Sequence, residues 1–121
     1  MTFPTIAYKH TNTKVDYKLQ DLLTQKFLSL EKYIGDETDV RLEVEFEKVT
    51  PQKNGNIYRL EINLWLKGNL YRAEATSENF EKAIDDARTG IEKELNRAHE
   101  KRSNKFLKGA RRIKEMMRFG R

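Results

Sequence analysis

Three consecutive runs of strict alternation constrain this chain more than anything else in it. Val40, Leu42, Val44 and Phe46 alternate with Arg41, Glu43, Glu45 and Glu47. Tyr58, Leu60, Ile62, Leu64 and Leu66 alternate with Arg59, Glu61, Asn63 and Trp65. Tyr71, Ala73 and Ala75 alternate with Arg72, Glu74 and Thr76. A period of two sends successive side chains to opposite faces of a strand, so each run has one apolar and one polar face. The connections are short: Thr50 to Asn56, with Pro51 and Gly55, and the tight turn Lys67-Gly68-Asn69. Short connections join antiparallel neighbours. The expectation is a meander with one face toward a core and the other open to water.

The flanking segments supply what covers the apolar face. Thr5 to His10, after Pro4, reads as a short strand. Thr13 is placed to N-cap a helix with Asp16 in its first turn, near the positive end of the helix dipole. Val15, Leu19, Leu22, Leu23, Phe27, Leu30 and Ile34 then follow helical spacing, and Gly35 is placed to end the helix. Ser77 to Asn79 open a second helix whose stripe is Phe80, Ile84, Ala87, Ile91, Leu95 and Ala98. Gly90 inside it costs about 1 kcal/mol relative to Ala, which a close approach of backbone or RNA would offset. The order β-α-β-β-β-α predicts a two-layer α+β domain, a four-stranded sheet with both helices on its apolar face, as in a dsRBD.

Several functions are excluded by what the chain lacks. It has no Cys, which removes disulfides, thiolate metal sites and Cys nucleophiles. His10 and His99 are far apart and have no ligand-spaced partner, so no metal and no cofactor is expected. The polar sheet face carries Glu43, Glu45, Glu47, Glu61 and Glu74 with Arg41, Arg59, Arg72 and an exposed Trp65. Paired carboxylates do acid–base work only in a cleft that drives their pKa values apart, and a solvated strand face offers none. No P-loop, GxSxG or HExxH motif occurs. The expectation is a protein that is not an enzyme and has no small-molecule substrate. No apolar run reaches the roughly 20 residues of a membrane span. The N-terminus lacks a signal-peptide pattern, so a cytoplasmic protein with no membrane partner is expected.

Charge is strongly partitioned. Through Ala87 there are 12 Lys/Arg against 15 Asp/Glu, a net of −3; from Arg88 onward there are 12 against 4, a net of +8, which together make the chain's +5. On the second helix Lys93, Arg97, Lys101, Lys105, Lys108 and Arg112 recur at steps of 4 or 3 and fall in one sector beside the apolar stripe, with Arg88 and Arg102 outside it. Such a row suits RNA phosphates, while five carboxylates on the open sheet face repel them. RNA, if bound, therefore meets the helices. Phe106, Ala110, Ile113 and Met117 continue an amphipathic pattern among basic residues. Residues 103–121 are thus expected to form a basic C-terminal extension, mobile in the free protein, beyond a domain spanning 1–102.

From Ile6 to Lys101 the chain resembles the ribosome hibernation-promoting factors, also called ribosome-associated inhibitors or Y proteins. The matching segments are Lys26-Phe27 with Leu30-Glu31-Lys32-Tyr33 (the family's K-[LF]-x-K-L-E-K-Y) and Asp39 to Lys48, ending Val44-Glu45-Phe46-Glu47-Lys48. They continue with Leu70-Tyr71-Arg72-Ala73-Glu74-Ala75, then Ala83-Ile84-Asp85, Ile91-Glu92-Lys93-Glu94-Leu95 and Arg97. Gly90 and Ser29 stand where the family usually has basic residues, and Asn79-Phe80-Glu81 replaces its usual Asp-Met-Tyr. The resemblance implies binding to the small ribosomal subunit in the channel of mRNA and the A- and P-site tRNAs, with translation blocked when growth stops. It nominates Lys9, Lys26, Lys32, Lys93, Arg97 and Lys101 as rRNA contacts. The charge row had already singled out the last three, and Arg102 and Lys105 extend the set. The length suits the short family type, without the C-terminal dimerisation domain of the long members, and a monomer when free. Two other readings compete: a general double-stranded RNA binder, and an adaptor that uses the 106–117 stripe to bind a protein.

Overall fold

The computed structural model describes residues 3–50 and 55–119, with side chains described through Arg102. The chain runs β1 (Ile6–Thr11), α1 (Tyr17–Phe27), a 3-10 turn (Leu28–Leu30), α2 (Glu31–Ile34), β2 (Val40–Lys48), β3 (Tyr58–Leu66), β4 (Asn69–Ser77) and α3 (Phe80–Phe119). The sheet order is β1-β2-β3-β4. The three alternating runs form the expected antiparallel meander, with Val44 opposite Ile62 and Ile62 opposite Ala73. β1 joins as a parallel edge strand, Tyr8 level with Val44, because a helix separates it from β2.

Both helices cover the apolar face, as the stripes require. Leu42, Val44 and Phe46 of β2 and Leu60, Ile62, Leu64 and Leu66 of β3 are buried against Leu23, Phe27, Leu30 and Ile34 from one helix and Ala83, Ile84, Ala87, Ile91 and Leu95 from the other. Each large aliphatic side chain so buried contributes roughly 1.5–3 kcal/mol. Phe80 anchors the start of α3, edge-on to Phe46 at 5.2 Å and to Tyr58 at 5.0 Å between ring centroids. Gly90 is explained by β4. A Cβ there would meet the Cβ of Ala73 at 3.3 Å, so α3 sits close on the sheet at the position of its glycine. The close approach within the protein is to the Ala73 side chain rather than to backbone.

Local signals were partly misassigned. The N-cap of α1 is Asp16, not Thr13: its carboxylate accepts from the Leu19 N–H at 3.0 Å. The helix therefore begins at Tyr17, one turn later. It is also not continuous to Gly35, since the 3-10 turn divides it before Gly35 closes α2 with its N–H on the Glu31 carbonyl at 2.9 Å. Asn79 caps α3, accepting from the Lys82 N–H at 2.8 Å, whereas Ser77 ends β4. Between β3 and β4, Lys67 (φ 53°) and Gly68 (φ 78°) both take positive φ. That geometry matches the twist of a two-residue hairpin and strains only the lysine. The forty residues of α3 make a helix about 60 Å long, while strands of nine residues reach about 30 Å. The sheet can cover only the first part of it.

Candidate nucleic-acid interface

The two outer surfaces of the molecule hold their charges differently. On the open sheet face Arg59 sits at the centre of a carboxylate ring, 2.6 Å from Glu74, 2.7 Å from Glu61, 3.1 Å from Glu47 and 3.7 Å from Glu45. Arg72 adds a second contact to Glu61 at 2.8 Å. Burial opposes the Arg59 charge, but its hydrogen bonds to Glu61 and Glu74 outweigh that and raise its pKa. Burial likewise pushes the Glu61 carboxyl up, and the bonds from Arg59 and Asn63 with the charge of Arg72 bring it below the usual carboxylate range. Trp65 is half-buried rather than exposed, with the Arg41 guanidinium over its ring at 4.4 Å. A face whose central charges are paired around Arg59, and whose aromatic is capped by Arg41, is a poor phosphate site and a poor stacking platform.

Lys9 belongs to this face. In the parallel register it lies level with Glu45, and its Nζ is 3.9 Å from that carboxylate. The alternation in β1 already carried the signal: Ile6 and Tyr8 face the core, so Lys9 between them faces away. The structure therefore does not bring Lys9 together with the helical cations.

The helical face is built along a polar seam. Lys26 Nζ meets Asp85 at 2.8 Å, the Ser29 hydroxyl donates to Glu92 at 2.5 Å, and the Tyr33 hydroxyl donates to Asn96 at 2.6 Å. Both partner series advance in the same direction along their helices, which sets α1–α2 and α3 side by side and parallel. Sequence reasoning missed this seam, although polar residues at 26, 29 and 33 and at 85, 92 and 96 border the two apolar stripes at helical spacing. Ser29, where a basic residue was expected, is a strap between helices.

Beyond the seam lie the remaining nominated residues. Lys32 is exposed, with its ammonium 5.1 Å from the Tyr33 ring centroid. Lys93 and Lys101 are exposed and, among the described residues, form no ion pair. Arg97 is exposed, one turn from Glu94 at 3.2 Å. Arg102 donates to the Tyr71 hydroxyl at 3.3 Å, across an open cleft of about 720 Å³ that Arg97 and Lys101 also line. The side chain of Lys105 and the 106–117 stripe lie outside the described residues, although the α3 backbone continues through them. Lys93, Arg97 and Lys101 thus form a row of solvent-facing cations, two of them with no ion-pair partner among the described residues. Among the described residues no cluster of side chains could hold a metal ion, and no helix is long and apolar enough to cross a membrane.

Known proteins share this architecture. The N-terminal domain of Protein Y from Thermus thermophilus superposes with a TM-score of 0.63 at 24% identity, covering 78% of this chain and 98% of that one. A ribosomal subunit interface protein from Coxiella burnetii gives 0.62 at 16% identity, covering 78% and 96%. At these identities the likeness establishes the fold. No curated protein is significantly similar in sequence. The family model described as "Sigma 54 modulation protein / S30EA ribosomal protein" matches residues 6–103, almost the whole of the two-layer domain. The chain therefore belongs to the sigma 54 modulation protein / S30EA ribosomal protein family, whose members are ribosome-associated and non-enzymatic.

Proposed function

We propose that this protein is a ribosome hibernation factor that binds the small ribosomal subunit through its helical face and represses translation by filling the mRNA channel and the A- and P-site tRNA positions. The observation that carries this reading is the row of exposed cations Lys93, Arg97 and Lys101, set opposite a sheet face whose central arginine, Arg59, is enclosed by carboxylates. Phosphate contacts need cations whose partner is supplied by the ligand. The structural neighbour named as a ribosomal subunit interface protein supports a position between the subunits. The cytoplasm, where ribosomes work, is the corresponding location.

In this reading Lys32, Lys93, Arg97 and Lys101 form the central contact set, with Arg102 and Lys105 extending it along α3 and Lys26 at its border. Lys9 meets RNA only where the ribosome also reaches the sheet edge. Residues 1–102 act as a monomeric binding domain, and 103–121 act as a basic extension that adds phosphate contacts.

The test is cosedimentation of the purified protein with small subunits at rising salt, beside Lys93→Glu/Arg97→Glu/Lys101→Glu. The wild type comigrates at low salt and dissociates as salt rises, and the triple variant fails to comigrate while unfolding at the wild-type temperature. Unchanged comigration of a folded triple variant would refute the assigned face. Wild-type protein that never comigrates would refute the function.

A further inference from the structure

Arg88 lies on α3 between two carboxylates on the same flank, Asp85 three residues before it and Glu92 four residues after. Side chains at these spacings are neighbours on a helix, and an arginine so placed ordinarily pairs with one of them. Here both are engaged elsewhere: Asp85 holds Lys26 at 2.8 Å, and Glu92 accepts the Ser29 hydroxyl at 2.5 Å. Arg88 forms no ion pair with either. The residue is half-buried, and its Nε is shut off from solvent with no hydrogen-bond partner. A buried donor left unsatisfied weakens a fold, and an apolar side chain of similar volume would fill the same place without that penalty. The free protein thus carries a guanidinium beside the helix seam whose natural anions are already taken.

We propose that Arg88 is an RNA-phosphate contact that seats one backbone phosphate at the junction of α1 and α3, beside the Lys26–Asp85 pair. With Nε enclosed, the two terminal nitrogens of the guanidinium present the parallel N–H donors that match two phosphate oxygens. The charge row on the far side of α3 does not include this position, so the site extends the RNA footprint across the groove between the helices. The inference rests on the small-subunit reading above and adds a residue to it.

Arg88→Gln, Arg88→Lys and Arg88→Leu in the full chain test it, each measured for thermal unfolding and for small-subunit affinity across a salt series. Arg88→Gln binds roughly tenfold more weakly, and the slope of log affinity against log salt falls by about 0.9, one phosphate's share. Arg88→Lys retains the slope and loses affinity only severalfold. Arg88→Leu unfolds at a higher temperature yet binds as weakly as Arg88→Gln, the signature of a side chain kept for a ligand at the fold's expense. A folded Arg88→Gln with wild-type affinity and slope overturns the proposal whatever its unfolding temperature, because an internal role moves stability alone. If Arg88→Leu fails to fold, the slope of Arg88→Gln decides. Wild-type protein that does not bind subunits removes the underlying reading, whereas wild-type binding with an unaltered slope for Arg88→Gln removes Arg88 only.

Discussion

The open sheet face and the helical face are both rich in charge, and they spend it in opposite ways. On the sheet, Arg59 is surrounded by Glu45, Glu47, Glu61 and Glu74, and Arg72 and Lys9 are drawn into the same network. On α3, Lys93 and Lys101 face water with no carboxylate partner among the described residues. Cross-strand neighbours are held at fixed short distances by the ladder, so opposite charges there meet without further ordering. A solvent-facing helix row has acidic partners only where residues three or four away supply them. Charge that is satisfied internally contributes to the fold, and charge left unsatisfied is available to a ligand. The same residue types therefore have different meanings on the two faces, and the net charge of the chain does not distinguish them.

Four perturbations break or sharpen this contrast. The largest effect is expected from reversing the row: Lys93→Glu/Arg97→Glu/Lys101→Glu lowers small-subunit affinity by at least about a hundredfold, with thermal unfolding unchanged. Arg59→Met does the reverse. It leaves four carboxylates facing one another and costs about 2–3 kcal/mol of stability by denaturant titration, while the folded fraction binds subunits as the wild type does. A loss of binding without loss of stability in that variant would show that the sheet face takes part in recognition.

The pH dependence follows from the same network. The Glu61 pKa is lower in the folded protein than its unfolded value of 4.5. The folded state therefore binds fewer protons there, and its contribution to stability is fully present above pH 4.5 and is lost as pH falls through the folded value. Arg59 stays charged throughout this range, its pKa being raised. Urea midpoints should thus be flat near neutrality and fall below pH 4.5. In Arg59→Met this acid loss shrinks, because protonation relieves the repulsion among its carboxylates. An equal acid loss in both proteins would place the responsible group elsewhere.

The smallest effect tests packing. Gly90→Ala gains about 1 kcal/mol of helix propensity but presses on Ala73 at 3.3 Å, so its net change stays within about 1 kcal/mol of zero. Adding Ala73→Gly relieves the contact and uncovers the propensity gain. Additivity of the two substitutions in a double-mutant cycle would mean that the helix does not rest on β4 at this point.

How much of this was legible depends on the range of the interactions involved. The alternation of 40–47, 58–66 and 71–76 and the two apolar stripes are local patterns, and they led directly to the layered fold and to the face each helix buries. Gly35 and Asn79 were recognisable as end signals for the same reason. The first helix was harder. Both Thr13 and Asp16 are capping residues, and only the observed turn from Asn12, with its positive φ of 57°, delays the start enough to select Asp16. The family match from residue 6 to residue 103 had its trace in the order and spacing of short segments, none of them specific alone.

The candidate site divides along the same line. Sequence alone determined that the cations of the last quarter lie on a helix, that they share a sector, and that the opposite sheet face is acidic, because backbone periodicity fixes which side chains share a face. Only the tertiary structure decided which of those cations are free. Lys26 and Asp85 are 59 positions apart in the chain yet meet at 2.8 Å, Ser29 reaches Glu92, and Lys9 is placed level with Glu45 by a parallel pairing across a helix. Whether a charge is paired depends on distances of a few ångströms between segments remote in sequence. Periodicity carries no information about those distances until the helices are docked on the sheet.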